Sequence, residues 1–588
     1  MNNKKIRLVL LTLTMGLLTG CFGRVTIVVT ATPSLAPSPS PIPTEVPLST
    51  TPTPPLAEPT NATEALAATL SSTASANTIK LWLSPDVPPE YQEALDPLVA
   101  SGRYAWSSAS AAQVKLVSAP PSGGLVTQRI YAPVVPFPTA TDDVKWADIQ
   151  RYWQGEIGAL SSLSESGQPP EFVTTSAIQA WLVQQFGPPS PLVRIDVVPP
   201  DAIVTTLWLH RAAAWALAPF DKLDPAMKVL TLDGASVFDR QLDLNKYPLI
   251  QTFAFSGDPQ LVVAVENEVK QNGKWITTNR DLSRMTIFVM TGVTALGRAT
   301  AYQMELKGIT LPARDILPFM QDADLVHTSN EVAFAKDCPY PDPSYTNTTQ
   351  IRFCSKESYF DLLKTIHLSI VELTGNHVND WGTPAFSNSL DLYDANKVGY
   401  FGGGRNEEDA RKALIVTNNG NTIALIGCNP VGPAPAWAKT DRPGAARCND
   451  DFLAQEIPRL KTVANVVIMT IQYQEFYQYN PTLDQVAYFQ KFATLGADLV
   501  MGSQAHVPQG FNFTGNAFIH YGIGNLFFDQ MDSLQTRQMF ADKLIIYKGK
   551  HISTVLFTGL LEDYSRPRRM TADERKAFLK DIFKASGW

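Results

Sequence analysis

The chain has 588 residues, is 45% hydrophobic and 18% charged, and carries a formal net charge of −7 with only 7 histidines. The apolar fraction excludes wholesale disorder. The acidic balance excludes a non-specific nucleic-acid binder, which needs a basic footprint. So few histidines also limit any metal chemistry built mainly on imidazole, and at roughly 150 residues per domain the length fits two to four domains.

Residues 1–7 are polar and basic, residues 8–18 are apolar, and Leu18-Thr19-Gly20-Cys21 follows. About twenty apolar residues are needed to span a bilayer, so this stretch reads as a signal h-region and not as a resident membrane helix. The segment ending at Cys21 resembles the bacterial lipobox, in which a cysteine is lipidated and becomes the new N-terminus; an ordinary secretory signal is the alternative. The expectation is a 1–21 lipoprotein signal and an extracytoplasmic protein anchored to the membrane through acylated Cys21. Cys338, Cys354, Cys428 and Cys448 remain. An even number in an oxidising compartment predicts disulfides. Of the three possible pairings, sequence proximity favours Cys338–Cys354 and Cys428–Cys448, with four unpaired thiols as the alternative. No CxxC spacing suggests a zinc knuckle.

Residues 31–60 contain ten Pro and ten Ser or Thr. Such a segment cannot bury enough surface to offset its chain entropy, so residues 22–77 read as a disordered, extended tether. Folded composition begins near Thr78. Across 78–283, strand-like runs at 79–83, 114–117 and 130–135 alternate with helical patterns at 146–152 and 177–186, which indicates an α/β domain. The runs at 131–136 and 148–155 resemble a stretch of bacterial periplasmic solute-binding proteins. That likeness implies a solute-binding-like domain and makes a small solute a candidate ligand there, although no ligand residue can be named.

Residues 284–588 form the second region. Strands are expected at 286–290, 368–373, 466–470 and 499–501, and helices at 357–365, 407–413 and 483–495. A hairpin is expected from 414–417 to 422–426, because Asn-Gly between apolar runs is a strong turn signal. Thr571-Ala572-Asp573-Glu574 reads as a capping box opening a C-terminal helix.

Three polar segments follow apolar strands in this region: Thr374 to Gly382, Gly502 to Gly510, and Tyr521 to Asp529. Asn, His and Asp at the mouth of a buried strand can supply oxygen and imidazole ligands to a metal. In this order and spacing, over about residues 285–535, the segments resemble the CapA family of proteins linked to bacterial capsule and poly-γ-glutamate synthesis. The resemblance implies a four-layer α/β/β/α metallophosphoesterase-like domain of the calcineurin type. The family's strand-end asparagine-asparagine-histidine then aspartate matches Gly375, Asn376, His377 and Asp380. Its glycine-histidine-histidine-proline-histidine matches Gly502 to His506, its closing glycine-asparagine matches Gly524 and Asn525, and its asparagine-leucine-glutamate falls on Ser329 to Glu331.

The departures fall on the ligand positions. The family's glycine-aspartate is Gly292-Val293 here. Gln472 stands at a histidine position, and Ser503 and Gln504 stand at two more. A two-metal site needs several ligands per ion, and neutral amides and a hydroxyl are weak replacements. If the site is catalytic, the resemblance implies hydrolysis of a phosphoester or related bond with one divalent cation, Mn²⁺, Mg²⁺ or Ca²⁺, on Glu331, Asn376 and His506. His377 and Asp380 would then be the catalytic pair, with Gly292, Gln472, Gln504 and Asn525 shaping the cleft. The competing reading has no metal and a binding cleft only: His377 and His506 order loops, Asp380 caps a turn, Glu331 pairs with Lys336, and Asn525 shapes a turn. Either way the resemblance implies a part in making, exporting or anchoring an anionic surface polymer, alongside its synthesis machinery.

Overall fold

The computed structural model describes residues 78–118, 124–342 and 352–588. Cys21 and the 22–77 tether lie outside the described residues. Among those described, no helix is long and apolar enough to cross a membrane.

The first sheet has nine strands. Its main path runs Tyr104–Trp106, Ile79–Leu83, Val114–Ser118, Ile250–Gly257, Val126–Pro136, Ala214–Pro219, Glu171–Thr174 and Ile195–Val197. Val126–Pro136 is buried along most of its length. Its first half pairs with Ile250–Gly257 and its second half with Ala214–Pro219, so one long strand serves two groups of strands. The helices beside the sheet start at side-chain caps. Thr175 accepts from Ile178 N ahead of Ser176–Phe186, and Asp258 accepts from Gln260 N and Leu261 N ahead of Pro259–Gln271. Polar groups buried beside this sheet satisfy one another. The Asp86 carboxylate accepts from Ser84, Ser118 and Gln251, and Arg129 pairs with Glu90.

The second region is built on two further sheets. The eight-stranded sheet runs Gly399–Phe401, Ile370–Glu372, Leu325–Asn330, Met285–Thr294, Gln538–Tyr547, Lys550–Glu562 and Arg566–Arg569, with Asn525–Phe527 added beside Met285–Thr294. The six-stranded sheet runs Leu414–Asn418, Asn421–Cys428, Val466–Gln472, Leu499–Ser503, Ala517–His520 and Phe511–Thr514. Alternate residues of each strand point to opposite faces. Phe288 and Met290 therefore meet Leu425, Ile468 and Met501 between the sheets. Val289, Val326 and Val371 face the helices Arg298–Lys307, Phe360–Thr365 and Thr383–Ala395. On the far side, Val467 and Met469 pack under Asp450–Lys461 and Leu483–Thr494. The result is the α/β/β/α order of layers.

Both disulfides join the cysteines nearest in sequence, Cys338–Cys354 and Cys428–Cys448. The expected hairpin pairs Leu414 with Leu425 through Asn418 with Asn421. The capping box at Thr571 and Glu574 forms in both directions. Other boundaries move. The helix expected at 357–365 is a 3-10 turn over Glu357–Tyr359 before its α segment Phe360–Thr365, and the helix expected at 407–413 ends at Ala410. Two strands run further than their apolar pattern, to Gln472 and Ser503, and these two polar residues sit side by side in parallel register.

Candidate functional site

The cleft forms where the parallel strands of both sheets end. Its close packing depends on glycine. A Cβ on Gly292 would lie 1.9 Å from Gly524 O, and one on Gly502 the same distance from Tyr521 O. A Cβ on Gly375 would lie 2.7 Å from Glu331 Cα. A larger residue at Gly375, such as the asparagine of the family motif, would push into the Glu331 backbone.

Val293 is buried in an apolar cluster with Ala295, Val332 and Phe528. The position at which the family pattern has an aspartate is thus part of a small hydrophobic core. Glu331 is fully buried, at 0% exposure, and among the described residues it makes no ion pair with Lys336, the partner of the competing reading. Its Oε1 instead accepts from Gln472 Nε2 at 2.9 Å, across 141 residues of sequence, while its Oε2 has no hydrogen-bond partner. The same Gln472 amide nitrogen donates to Asn376 Oδ1 at 3.2 Å and to Gln504 Oε1. Three oxygens therefore converge on one neutral NH₂ group, which has two hydrogens to give. Ser503 Oγ lies 3.1 Å from both Gln472 Oε1 and Glu372 Oε1, with one hydrogen to share between them. Thr374 also donates to Glu372, whose other oxygen lies 3.5 Å from His327 Nε2.

His377 Nδ1 is 2.8 Å from Asp380 Oδ2, and the Asp380 carboxylate also accepts from Phe353 N at 3.2 Å. Burial pulls the His377 pKa down, but the hydrogen bond to Asp380 and the charge of Glu331 outweigh it, so the imidazole is held above its ordinary value. His506 takes a left-handed backbone at φ 56° and Gln504 one at φ 79°, a region non-glycine residues rarely adopt and one that clusters at functional sites. His506 Nδ1 is 2.8 Å from Asn525 Oδ1. The Asn525 amide nitrogen faces three acceptors, His506 O, Gln530 Oε1 and Thr536 O. That fixes Oδ1 toward the ring, makes Nδ1 the donor, and leaves Nε2 of a neutral His506 as an acceptor.

His377 and His506 both line a cavity of about 430 Å³ whose walls include Tyr340, Trp381, Tyr477 and Gln530. Arg298 also lines it, forking onto Asp529 through Nε and Nη2 and lying 4.5 Å from the Phe353 ring centre. Arg298 was missed from sequence, because its partner is 231 residues away; Asp529 had been seen only as the last residue of the third polar segment.

The residues fit a metal poorly. Among the described residues no group of three or more His, Cys, Asp and Glu could hold an ion. Of the expected ligands, Glu331 and Asn376 share the Gln472 amide, whereas His506 is engaged with Asn525. An amide donor stands among the oxygens a cation would need, and Glu331 is the one carboxylate among the described residues that the Gln472 amide nitrogen contacts.

Residues 253–530 match the family model described as bacterial capsule synthesis protein PGA_cap. The match begins within strand Ile250–Gly257 of the first sheet. The capsule biosynthesis protein CapA of Bacillus anthracis is 23% identical over 318 residues, covering 53% of this chain and 76% of that protein. The PGA biosynthesis protein CapA of Bacillus subtilis (strain 168) is 24% identical over 238 residues, 40% of this chain and 61% of that one. Among solved structures, a putative 5'-nucleotidase from Staphylococcus aureus aligns with TM-score 0.31 and 12% identity, over 50% of this chain and 58% of that one. Over residues 253–530 the chain is thus similar to the bacterial capsule synthesis protein PGA_cap family, and the CapA proteins of the two Bacillus species are similar to it.

Proposed function

We propose that this chain is a surface lipoprotein, anchored through acylated Cys21, that takes part in making, exporting or anchoring an anionic surface polymer such as capsule or poly-γ-glutamate. In this reading its cleft is a degenerate metal site that binds without catalysing. One observation carries it: the Gln472 amide nitrogen lies among Glu331, Asn376 and Gln504 oxygens. A neutral amide donor satisfies oxygens that would otherwise need a cation, and it offers no Lewis acidity toward a phosphoester. The cavity beside it offers the aromatic rings of Tyr340, Phe353, Trp381, Tyr477 and Phe528, with Arg298 and Arg352 set against the acids Asp342 and Glu475, as surface on which a polymer could rest.

A second reading, a metal-dependent hydrolase, is favoured by the unpartnered Glu331 Oε2 and the His377–Asp380 pair. The two separate in one experiment on the purified protein: metal content after incubation with Mn²⁺, alongside a phosphodiesterase assay. The binding reading expects no stoichiometric metal and no turnover. Stoichiometric metal with turnover that disappears in His377→Ala would overturn it.

A further inference from the structure

Six residues in the wall of the cleft cavity form an unbroken series of planar groups. The ring centres of His377 and Phe353 are 4.6 Å apart, and the Arg298 guanidinium lies 4.5 Å from the Phe353 ring centre. The same guanidinium lies 5.5 Å from the ring centre of Phe528. Phe528 is 4.7 Å from His506, and His506 is 6.4 Å from Tyr477, with these last two rings within 18° of parallel. All six line the cavity of about 430 Å³, a size suited to a small ligand or one stretch of a chain. Its fork onto Asp529 keeps Arg298 in the series. The Cys338–Cys354 bond joins the segments that carry Tyr340 and Phe353, so this part of the wall is set before a ligand arrives.

The two imidazoles of the series have Nδ1 occupied, by Asp380 for His377 and by Asn525 for His506. Nε2 of each ring is left for the cavity. His506 is 4% exposed, so bulk water reaches little of it and a ligand that donates to Nε2 is favoured. A hydroxyl can do so, and it also answers Nε2 of His377 in either protonation state, because it both donates and accepts; ionised carboxylate oxygens only accept. The charged side chains of the lining point the same way. Two cations, Arg298 and Arg352, stand against two acids, Asp342 and Glu475. Arg298 already faces Asp529, while Arg352 lies 5.3 Å from the Trp381 ring centre and donates to Asp380 O at 3.2 Å. A polyanion would meet two carboxylates here without a surplus of arginine to offset them.

We propose that this wall holds a neutral sugar chain, a β-linked glycan with equatorial hydroxyls. Such sugars present C–H bonds on their flat faces, which the negative faces of aromatic rings attract, and hydroxyls around their rims, which reach Nε2 of the two histidines. This ligand presupposes the reading of the cleft as a binding site, and it makes the bound partner a surface glycan and not the anionic polymer itself.

The test is titration calorimetry of the intact protein with cellohexaose, with chitohexaose and with poly-γ-glutamate, all at matched ionic strength. The expected result is saturable binding of one or both glycans. Tyr477 and Tyr340 are exposed, so either can be replaced with little risk to the core. Tyr477→Ala is expected to bind glycan at least fivefold more weakly, and Tyr477→Phe, which keeps the ring, to lose less. Should Tyr477→Ala fold poorly, Tyr340→Ala is expected to weaken binding in the same direction. No saturable binding of either glycan, or wild-type affinity in the folded Tyr477→Ala protein, would overturn the proposal. Poly-γ-glutamate bound in place of the glycans would overturn it too, while leaving the cleft a binding site. Release of shorter sugars from a bound glycan would support the ligand class and overturn the non-catalytic reading instead.

Discussion

The Arg298–Asp529 pair gives a sharp test of how the cleft wall is held. Asp529 is 2% exposed, and its Oδ2 takes Arg298 Nε at 3.1 Å and Ala299 N at 3.0 Å. Burial raises the Asp529 pKa, and Arg298 works against that rise. Replacing Arg298 by Met keeps an unbranched chain near Phe353 but strands the carboxylate. Breaking a buried pair from one side costs about 3–5 kcal/mol; because the Arg298 side chain is 29% exposed, the lower end, about 3 kcal/mol, is expected. The backbone strain at φ 46° is common to both proteins, so the side chain is the only variable. Asp529→Asn should cost less, since Arg298 can turn toward solvent, and Arg298→Met added to it should cost little more. The coupling in that cycle is expected to be about 2 kcal/mol, within the range for contacting residues. The sign with pH follows. An acid whose folded pKa is raised loses stability as pH rises, so the Arg298→Met penalty should be larger at pH 7.5 than at pH 5, where the stranded carboxyl takes up a proton. Urea denaturation of the four proteins at both pH values measures all of this. A penalty under about 1 kcal/mol, or single costs that simply add in the double variant, would refute the account.

Other expectations follow from single features. Removing the Cys428–Cys448 bond, which closes 20 residues, with paired Ser substitutions should cost about 3 kcal/mol from regained chain entropy, read as a lower urea midpoint. His551 is pushed down to about 4 from 6.5 by burial. The unfolded chain therefore takes up a proton between those values and the folded chain does not, so its stabilising contribution, full above pH 6.5, is lost as pH falls toward 4, by up to about 3 kcal/mol; His551→Gln should flatten the pH–stability curve in that window, and an unchanged curve would contradict the assignment. Thr571→Ala removes the cap of Ala572–Ala585 and should cost about 1 kcal/mol, with helix loss visible by circular dichroism.

The layers of the second region were legible because they rest on local pattern. Apolar runs such as Val466 to Thr470 mark strands, the Asn-Gly turn marks the hairpin, and the order of three polar segments at strand ends carries the resemblance to the CapA family. The valine at Val293, where the family pattern has an aspartate, was equally legible, since a single residue type decides it. The contacts around Glu331 were hidden, because they depend on pairings far apart in sequence. Two strands continue past their apolar pattern to Gln472 and Ser503, and only that extension sets the Gln472 amide against Glu331. Lys336 was the reasonable local partner for Glu331, yet a carboxylate buried completely cannot follow a nearby cation to the surface and takes the donor that tertiary packing supplies. The glycines point to the same separation of frame from chemistry. Gly292 and Gly502 occupy positions where a Cβ would lie 1.9 Å from a facing carbonyl, so the close approach of these strands forbids their replacement. At Val293, Gln472, Ser503 and Gln504, by contrast, the side chains depart from the pattern of the family that the chain resembles, and Gln504 does so on a left-handed backbone. A frame held by contacts this tight fixes the shape of the cleft independently of the side chains that line it.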